Sequence, residues 1–301
     1  MLTFLGFAMV MTFMYLIMSK RLSALIALII VPISFALIGG FAAGIGPMML
    51  EGIGKLAPTG VMLMFAILYF ALMIDSGLFD PAVRAILRLV KGDPLKVSMG
   101  TAALALIVSL DGDGATTYII CVAAMLPLYS RLGMSPLIMA GLIILAGGIM
   151  NMTPWGGPTA RAASALHVDP SDIFVPMIPA MIAGCIALFG VAWIYGKRER
   201  ARLGVLHLPD DQDNHAEISV SQYPEARRPK LLWVNAGRTL ALMVSLVLGV
   251  LPLPVLFMIA FAIALIINYP NLAEQRRRVA QHAGNVLSVV SLIFAAGIFT
   301  G

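Results

Sequence analysis

Two aspartates one residue apart, Asp111 and Asp113, stand in the run Ser109-Leu110-Asp111-Gly112-Asp113-Gly114-Ala115-Thr116-Thr117, with strongly apolar sequence on either side. Carboxylates in such a setting can ligate a cation or carry a proton, and at membrane depth they are costly and seldom kept without a role. Gly112 and Gly114 permit a tight reversal and close approach of backbone to a ligand. A short helix expected to begin near Ala115 would turn its unpaired N–H groups toward the same place, where an anionic ligand can be received. Thr116 and Thr117 add hydroxyls. The plain alternative is a polar loop at the membrane surface.

A second constellation, Asn151-Met152-Thr153-Pro154-Trp155-Gly156-Gly157-Pro158-Thr159, repeats the logic. Pro154 and Pro158 interrupt a helical hydrogen-bond ladder, Gly156 and Gly157 loosen the turn, and Asn151, Thr153 and Thr159 supply polar partners. Pro158 suits the first position of a new helix, whose N-terminus can also face an anion. Arg161, one turn in, can pair with a ligand carboxylate or a hairpin aspartate. It can equally be a rim cation near Asp169. Trp155 is the one aromatic expected beside the site; the 20 Met and the other rings read as packing or lipid-facing groups.

The elements that hold these groups must be membrane helices. Of 301 residues, 60% are hydrophobic and only 12% charged, against roughly 25% charged in a soluble domain. Spans are predicted at residues 2 to 18, 22 to 45, 59 to 75, 172 to 196, 232 to 250, 254 to 269 and 285 to 301. Residues 97 to 130 form two apolar pieces, each too short for a ~30 Å hydrocarbon core, and read as a re-entrant hairpin. Residues 134 to 166 read as a broken helix. Backbone of this kind survives at membrane depth only where protein or a wet cavity satisfies it. The expected organisation is a first transmembrane repeat over 1–196, a cytoplasmic linker over 197–231 and the start of a second, inverted repeat over 232–301. The fold class is thus an all-α polytopic membrane protein.

With Lys20 and Arg21 placed in the cytoplasm, all but three of the 20 Lys and Arg fall on that side, provided that the hairpin enters and leaves there. The exceptions are Lys55, Arg161 and Arg238. The net charge of +5 therefore has a topological explanation and no nucleic-acid partner is expected. Cys121 and Cys185 show no zinc or disulfide spacing. All four histidines, His167, His207, His215 and His282, are expected in polar connections. Asp75 is expected at a helix end or interface. An EF-hand fails because Ala115, Thr116 and Val122 occupy its key positions. An intramembrane aspartyl protease would have to bring Asp75 to Asp113.

Residues 60 to 77 align with 284 to 301 with seven of 18 positions identical, Gly60 on Gly284 and Gly77 on Gly301 among them. The two spans run in opposite directions by the charge count, as an inverted repeat requires. The counterpart of residues 97 to 166 would then start roughly twenty residues past Gly301, so the second repeat is expected to be incomplete and this chain alone to bind substrate poorly or not at all.

Leu110-Asp111-Gly112-Asp113-Gly114 running into Thr116-Thr117-Tyr118 and Met125-Leu126-Pro127-Leu128, followed by Asn151 to Ala163, resembles the citrate-metal-proton symporters, a family of the ion-transporter superfamily. The resemblance covers essentially the whole chain. It implies no enzyme but a secondary transporter in the cytoplasmic membrane, moving citrate with a divalent cation of the Mg2+ or Ca2+ type, coupled to protons, and a homodimer by analogy with the superfamily. Its site would draw substrate contacts from Gly112, Gly114, Ala115, Thr116, Thr117, Asn151, Thr153, Gly156, Gly157, Thr159 and Arg161, and metal or proton coupling from Asp111 and Asp113. A sodium- or proton-coupled dicarboxylate or gluconate carrier is the alternative within transport. The charge balance agrees: metal complexation lowers citrate from about −3 to about −1, which suits a site with two carboxylates and at most one arginine.

Overall fold

A computed structural model describes residues 2–90, 92–111, 114–166, 168–205 and 223–300; the side chains of residues 2, 111, 114–116, 164, 165, 224 and 300 fall outside that description. The described chain forms twelve α-helices: α1 (Leu2–Met18), α2 (Ala24–Ile38), α3 (Ile45–Asp75), α4 (Asp80–Val90), α5 (Pro94–Val108), α6 (Gly114–Leu132), α7 (Pro136–Met150), α8 (Gly157–Leu166), α9 (Pro170–Leu203), α10 (Leu232–Val247), α11 (Leu253–Asn268) and α12 (Leu272–Thr300). Four stretches are long and apolar enough to cross a bilayer: α3, α9, Pro229–Val247 and Leu272–Phe299. By contrast α5 and α7 have 15 residues each, a rise of about 22 Å, short of a full crossing.

The helices pack in two groups. In one, α3 is the axis: α12 and α11 lie along it, and α2 packs on α12. In the other, α5 is the axis, contacted by α4, α6, α7 and α9, with α8 against α9. The groups meet where α3 touches α8 and the 3-10 turn Ser109–Asp111. On α3, Met62, Leu63, Ala66, Tyr69, Phe70, Leu72 and Met73 are all but closed to solvent.

Helices α3 and α12 run antiparallel, the relative direction that the charge count gives residues 60–77 and 284–301. A Cβ on Gly297 would fall 2.9 Å from the Gly52 carbonyl oxygen and 3.0 Å from Ile53 Cα, Phe294 covers Gly60, and His282 reaches Asp75 at the other end. Only glycine at 297 lets the two backbones approach this closely.

Several boundaries differ from the sequence reading. The third span starts at Ile45 rather than 59, carrying Glu51 and Lys55 as an (i, i+4) ion pair at 2.8 Å. Such a pair supports helix in a polar stretch, whereas hydropathy alone stops short of it. The basic run Lys197, Arg198, Arg200 and Arg202 forms the last turns of α9 instead of a loop. There Arg202 binds Glu199 at 2.6 Å and donates to the Gly133 carbonyl, while Arg200 approaches Asp93, the N-cap of α5, at 3.6 Å. The end of α9 thus holds the base of the α5–α6 pair. Helix α4, absent from the list of spans, is an amphipathic helix that buries Val83, Leu87 and Val90 at i, i+4 and i+7. The acidic middle of the linker (Asp210, Asp211, Asp213, Glu217) and His167, His207 and His215 lie outside the described residues.

The largest departure is α12. Arg276, Arg277, Arg278 and His282 belong to its first turns rather than to a polar connection. Arg278 is only 2% exposed.

Candidate functional site

The break between α7 and α8 is built by its own residues. Thr153 Oγ1 donates to the Met150 carbonyl (2.8 Å), the Gly156 N–H donates to the Thr153 carbonyl (2.8 Å), and Thr159 Oγ1 donates to the Asn151 carbonyl (3.1 Å). Together these bonds satisfy carbonyls that the end of a helix leaves without partners. Gly156 sits against the turn so closely that a Cβ would enter the Asn151 carbonyl oxygen, 2.8 Å from its carbon and 3.0 Å from the Thr153 oxygen. The ring nitrogens of Pro154 and Pro158 offer no competing donor.

Trp155 joins this turn to the first motif. Its indole Nε1–H donates to the Leu110 carbonyl at 2.8 Å, one residue before Asp111. The ring is 5% exposed and packs on Phe70 of α3 (centroids 5.2 Å) and Phe257 of α11 (5.5 Å). Both helix breaks therefore share a contact, and that contact is anchored in the α3 group. Ser109, one residue further back, has a buried hydroxyl with no hydrogen-bond partner among the described residues. An unpaired buried hydroxyl is costly unless something else satisfies it, and residue type alone did not single Ser109 out.

The sequence-predicted residues divide as follows. Thr153, Gly156 and Thr159 are buried in the turn, Gly157 begins α8 partly exposed, and Asn151 and Arg161 are exposed. Thr117 is buried in the first turn of α6. Gly114, Ala115 and Thr116 lie in that first turn, and Asp111 closes the 3-10 turn, with side chains outside the description. Gly112 and Asp113 lie outside the described residues. Among the described residues no three His, Cys, Asp or Glu converge as a metal-ion site. Beside α8 a cavity of about 330 Å³ opens between α3 and the starts of α9 and α11, lined by Lys55, Thr59, Met62, Ala163 and Asp169 among others. That is within the range of small-ligand clefts, about 300–1,000 Å³.

A second polar cluster, not anticipated as a site, lies at the far end of α3. Asp75, its last residue, is 2% exposed, 2.8 Å from His282 Nε2 and 4.0 Å from the Arg278 guanidinium. It is therefore a buried carboxylate rather than an interfacial one. Arg278 continues to Gln281 (2.8 Å) and Glu225 (3.5 Å) and lies over the rings of Tyr223 and Tyr269, each 5.5 Å away. The chain returning from the linker docks here: Arg228 N–H donates to the Ser76 carbonyl, Tyr269 OH donates to Ala226, and Arg227 pairs with Asp80 at 3.1 Å. Below them Asn235 and Asn268 exchange two side-chain hydrogen bonds, 2.8 and 2.9 Å, fully buried. A hydrogen bond from its own backbone, then the Arg277 and Arg278 charges, hold the Glu225 carboxyl below its usual range against a desolvation cost. Burial, helped by the Asp75 charge, pushes the Tyr269 phenol up to about 12.

Comparison with known proteins adds the family. The profile described as "Citrate transporter" matches residues 4–301. Among its relatives, a protein named "Citrate transporter" from Bacillus subtilis (strain 168) is 59% identical over 301 residues. The "Mg(2+)/citrate complex secondary transporter" of the same organism is 56% identical over 302, and "Uncharacterized transporter YraO" 48% over 307. Each alignment takes in the whole of this chain and 70% of the relative's length. The profile match over residues 4–301 and the 59% and 56% identical relatives place this protein in the CitMHS citrate transporter family, a family of transporters and not of enzymes.

Proposed function

We propose that this protein is a secondary transporter that carries citrate as its complex with a divalent cation across the cytoplasmic membrane, with protons as the coupling ion. The observation that carries this reading is the Trp155–Leu110 hydrogen bond, which brings the α7–α8 turn to the start of the aspartate motif. Around that contact, the N-termini of α6 and α8 offer N–H groups to citrate carboxylates. Asp111 and Asp113 meet the metal, which arrives as part of the substrate. Ser109, Thr117, Thr153, Thr159 and Arg161 supply the remaining polar contacts. The helix groups centred on α3 and α5 are the parts that move relative to each other in alternating access.

Uptake of labelled citrate into proteoliposomes bearing the full-length protein tests the substrate. Uptake is expected to need Mg2+ or Ca2+ and to resist competition by succinate and gluconate. Equal uptake with and without divalent cation overturns the reading. Asp113→Asn is expected to lower metal-dependent uptake severely while membrane insertion, read by fractionation, is unchanged; normal uptake by that variant removes Asp113 from the site.

A further inference from the structure

We propose that Asp75 and His282 form the proton-carrying pair of the transport cycle, a role resting on the proton coupling proposed above and lodged at the end of α3 rather than at the hairpin aspartates. A carboxylate in the last turn of a helix faces the negative end of the helix dipole. A carboxylate that is 2% exposed as well must be held by cations. Asp75 meets a fixed cation, Arg278, at 4.0 Å and a histidine, His282, at 2.8 Å.

The two differ in what they can do. Arg278 never deprotonates, and its charge is shared with Glu225 and Gln281 between two tyrosine rings. Histidine is the side chain suited to exchanging a proton near neutral pH, and His282 is 15% exposed while Asp75 stays covered. One proton added at the imidazole turns a neutral ring beside a carboxylate into an ion pair; its loss restores the neutral ring, and nothing else changes hands.

The charged groups around the pair come from every element packed there. Helix α12 contributes Arg277, Arg278 and Glu274, the returning segment Tyr223, Glu225, Arg227 and Arg228, the α11–α12 turn Tyr269, α4 Asp80, and α10 Arg238 through Asn235. Beside the Asp75–His282 and Asp75–Arg278 contacts, close pairs among the described residues include Arg227–Asp80, Arg228–Glu274, Arg277–Glu225 and Arg278–Glu225. Each of these joins a carboxylate to an arginine and none contains a histidine.

A route to the substrate site exists along α3. Phe70, five residues or about 7.5 Å of helix rise before Asp75, packs on Trp155, which holds the two helix breaks together. A change in how the end of α3 is held against α12 therefore bears on the contact between the two helix groups.

The test uses the protein in proteoliposomes and two variants: His282→Arg, which fixes the charges of the protonated pair, and Asp75→Asn, which removes the carboxylate that holds the proton on the imidazole. Two readouts are compared: accumulation of Mg2+–citrate driven by an inward pH gradient, and exchange of internal for external citrate at equal pH, which needs no net proton movement. Both variants are expected to lose gradient-driven accumulation and to keep exchange near the wild-type rate. Accumulation by either variant at the wild-type level overturns the assignment. Loss of exchange in both also overturns it, because the pair would then serve structure or substrate binding. A wild-type protein whose accumulation ignores the pH gradient defeats proton coupling itself, a result separable from the other two.

Discussion

Gly156→Ala is expected to abolish citrate uptake and to lower the unfolding temperature of the protein in detergent. The added methyl would enter the Asn151 carbonyl oxygen and lie 2.8 Å from its carbon and 3.0 Å from the Thr153 oxygen, all backbone atoms that cannot swing aside as a side chain can. Relief requires the turn to open, which breaks the Gly156–Thr153 and Thr159–Asn151 bonds and lets Trp155 swing off Leu110. Overpacking of this kind costs about 1–3 kcal/mol, and more where backbone must move. Gly157→Ala is the control, because its Cβ would meet only the Arg161 side chain at 3.6 Å. It is expected to insert and unfold like the wild type. Normal uptake and unfolding by Gly156→Ala would show that the turn is not packed this tightly.

Trp155→Ala is expected to be nearly as damaging, for a different reason. It removes a buried ring that contacts Phe70 and Phe257 and leaves the Leu110 carbonyl without its donor. Emptying an indole from a packed site costs about 3–5 kcal/mol. Trp155→Phe separates the two losses: it keeps most of the ring packing and gives up only the hydrogen bond, about 1 kcal/mol net. The phenylalanine variant is therefore expected to fold and to transport at a reduced rate, the alanine variant to fail. Uptake and thermal unfolding, measured on both, check the order. If phenylalanine and alanine behave alike, the hydrogen bond between the two breaks matters more than the aromatic packing.

Much of the architecture was legible because bilayer chemistry writes plainly. Ends of helices α1, α10 and α11 fall within about three residues of the predicted spans, since a run of apolar residues bounded by polar ones has few other forms in lipid. The α7–α8 break could be placed from Pro154, Gly156, Gly157 and Pro158, because proline and glycine act locally. Helix α4 escapes hydropathy, although its i, i+4, i+7 apolar stripe stands in the sequence, because an amphipathic helix contains no long apolar run. The start of α12 is hidden for a related reason. Arg276, Arg277, Arg278 and His282 look like a solvated loop when hydropathy is the criterion, yet they continue the helix, and Arg278 and His282 face a buried carboxylate.

What the sequence determined by itself was the kind of solvent this protein lives in, the family it resembles and the local chemistry of its two motifs, since each depends on residues within a few positions of one another. Which distant residues meet was decided only in three dimensions. Trp155 finds Leu110 across 45 positions, and His282 finds Asp75 across 207. Those pairings follow from helices packing as rigid bodies, α8 against α3 and α12 along α3, and the close approach at Gly297 sets the register in which α12 delivers its histidine. Hydropathy has no term for such contacts, because it sums properties along the chain while packing selects among neighbours across it.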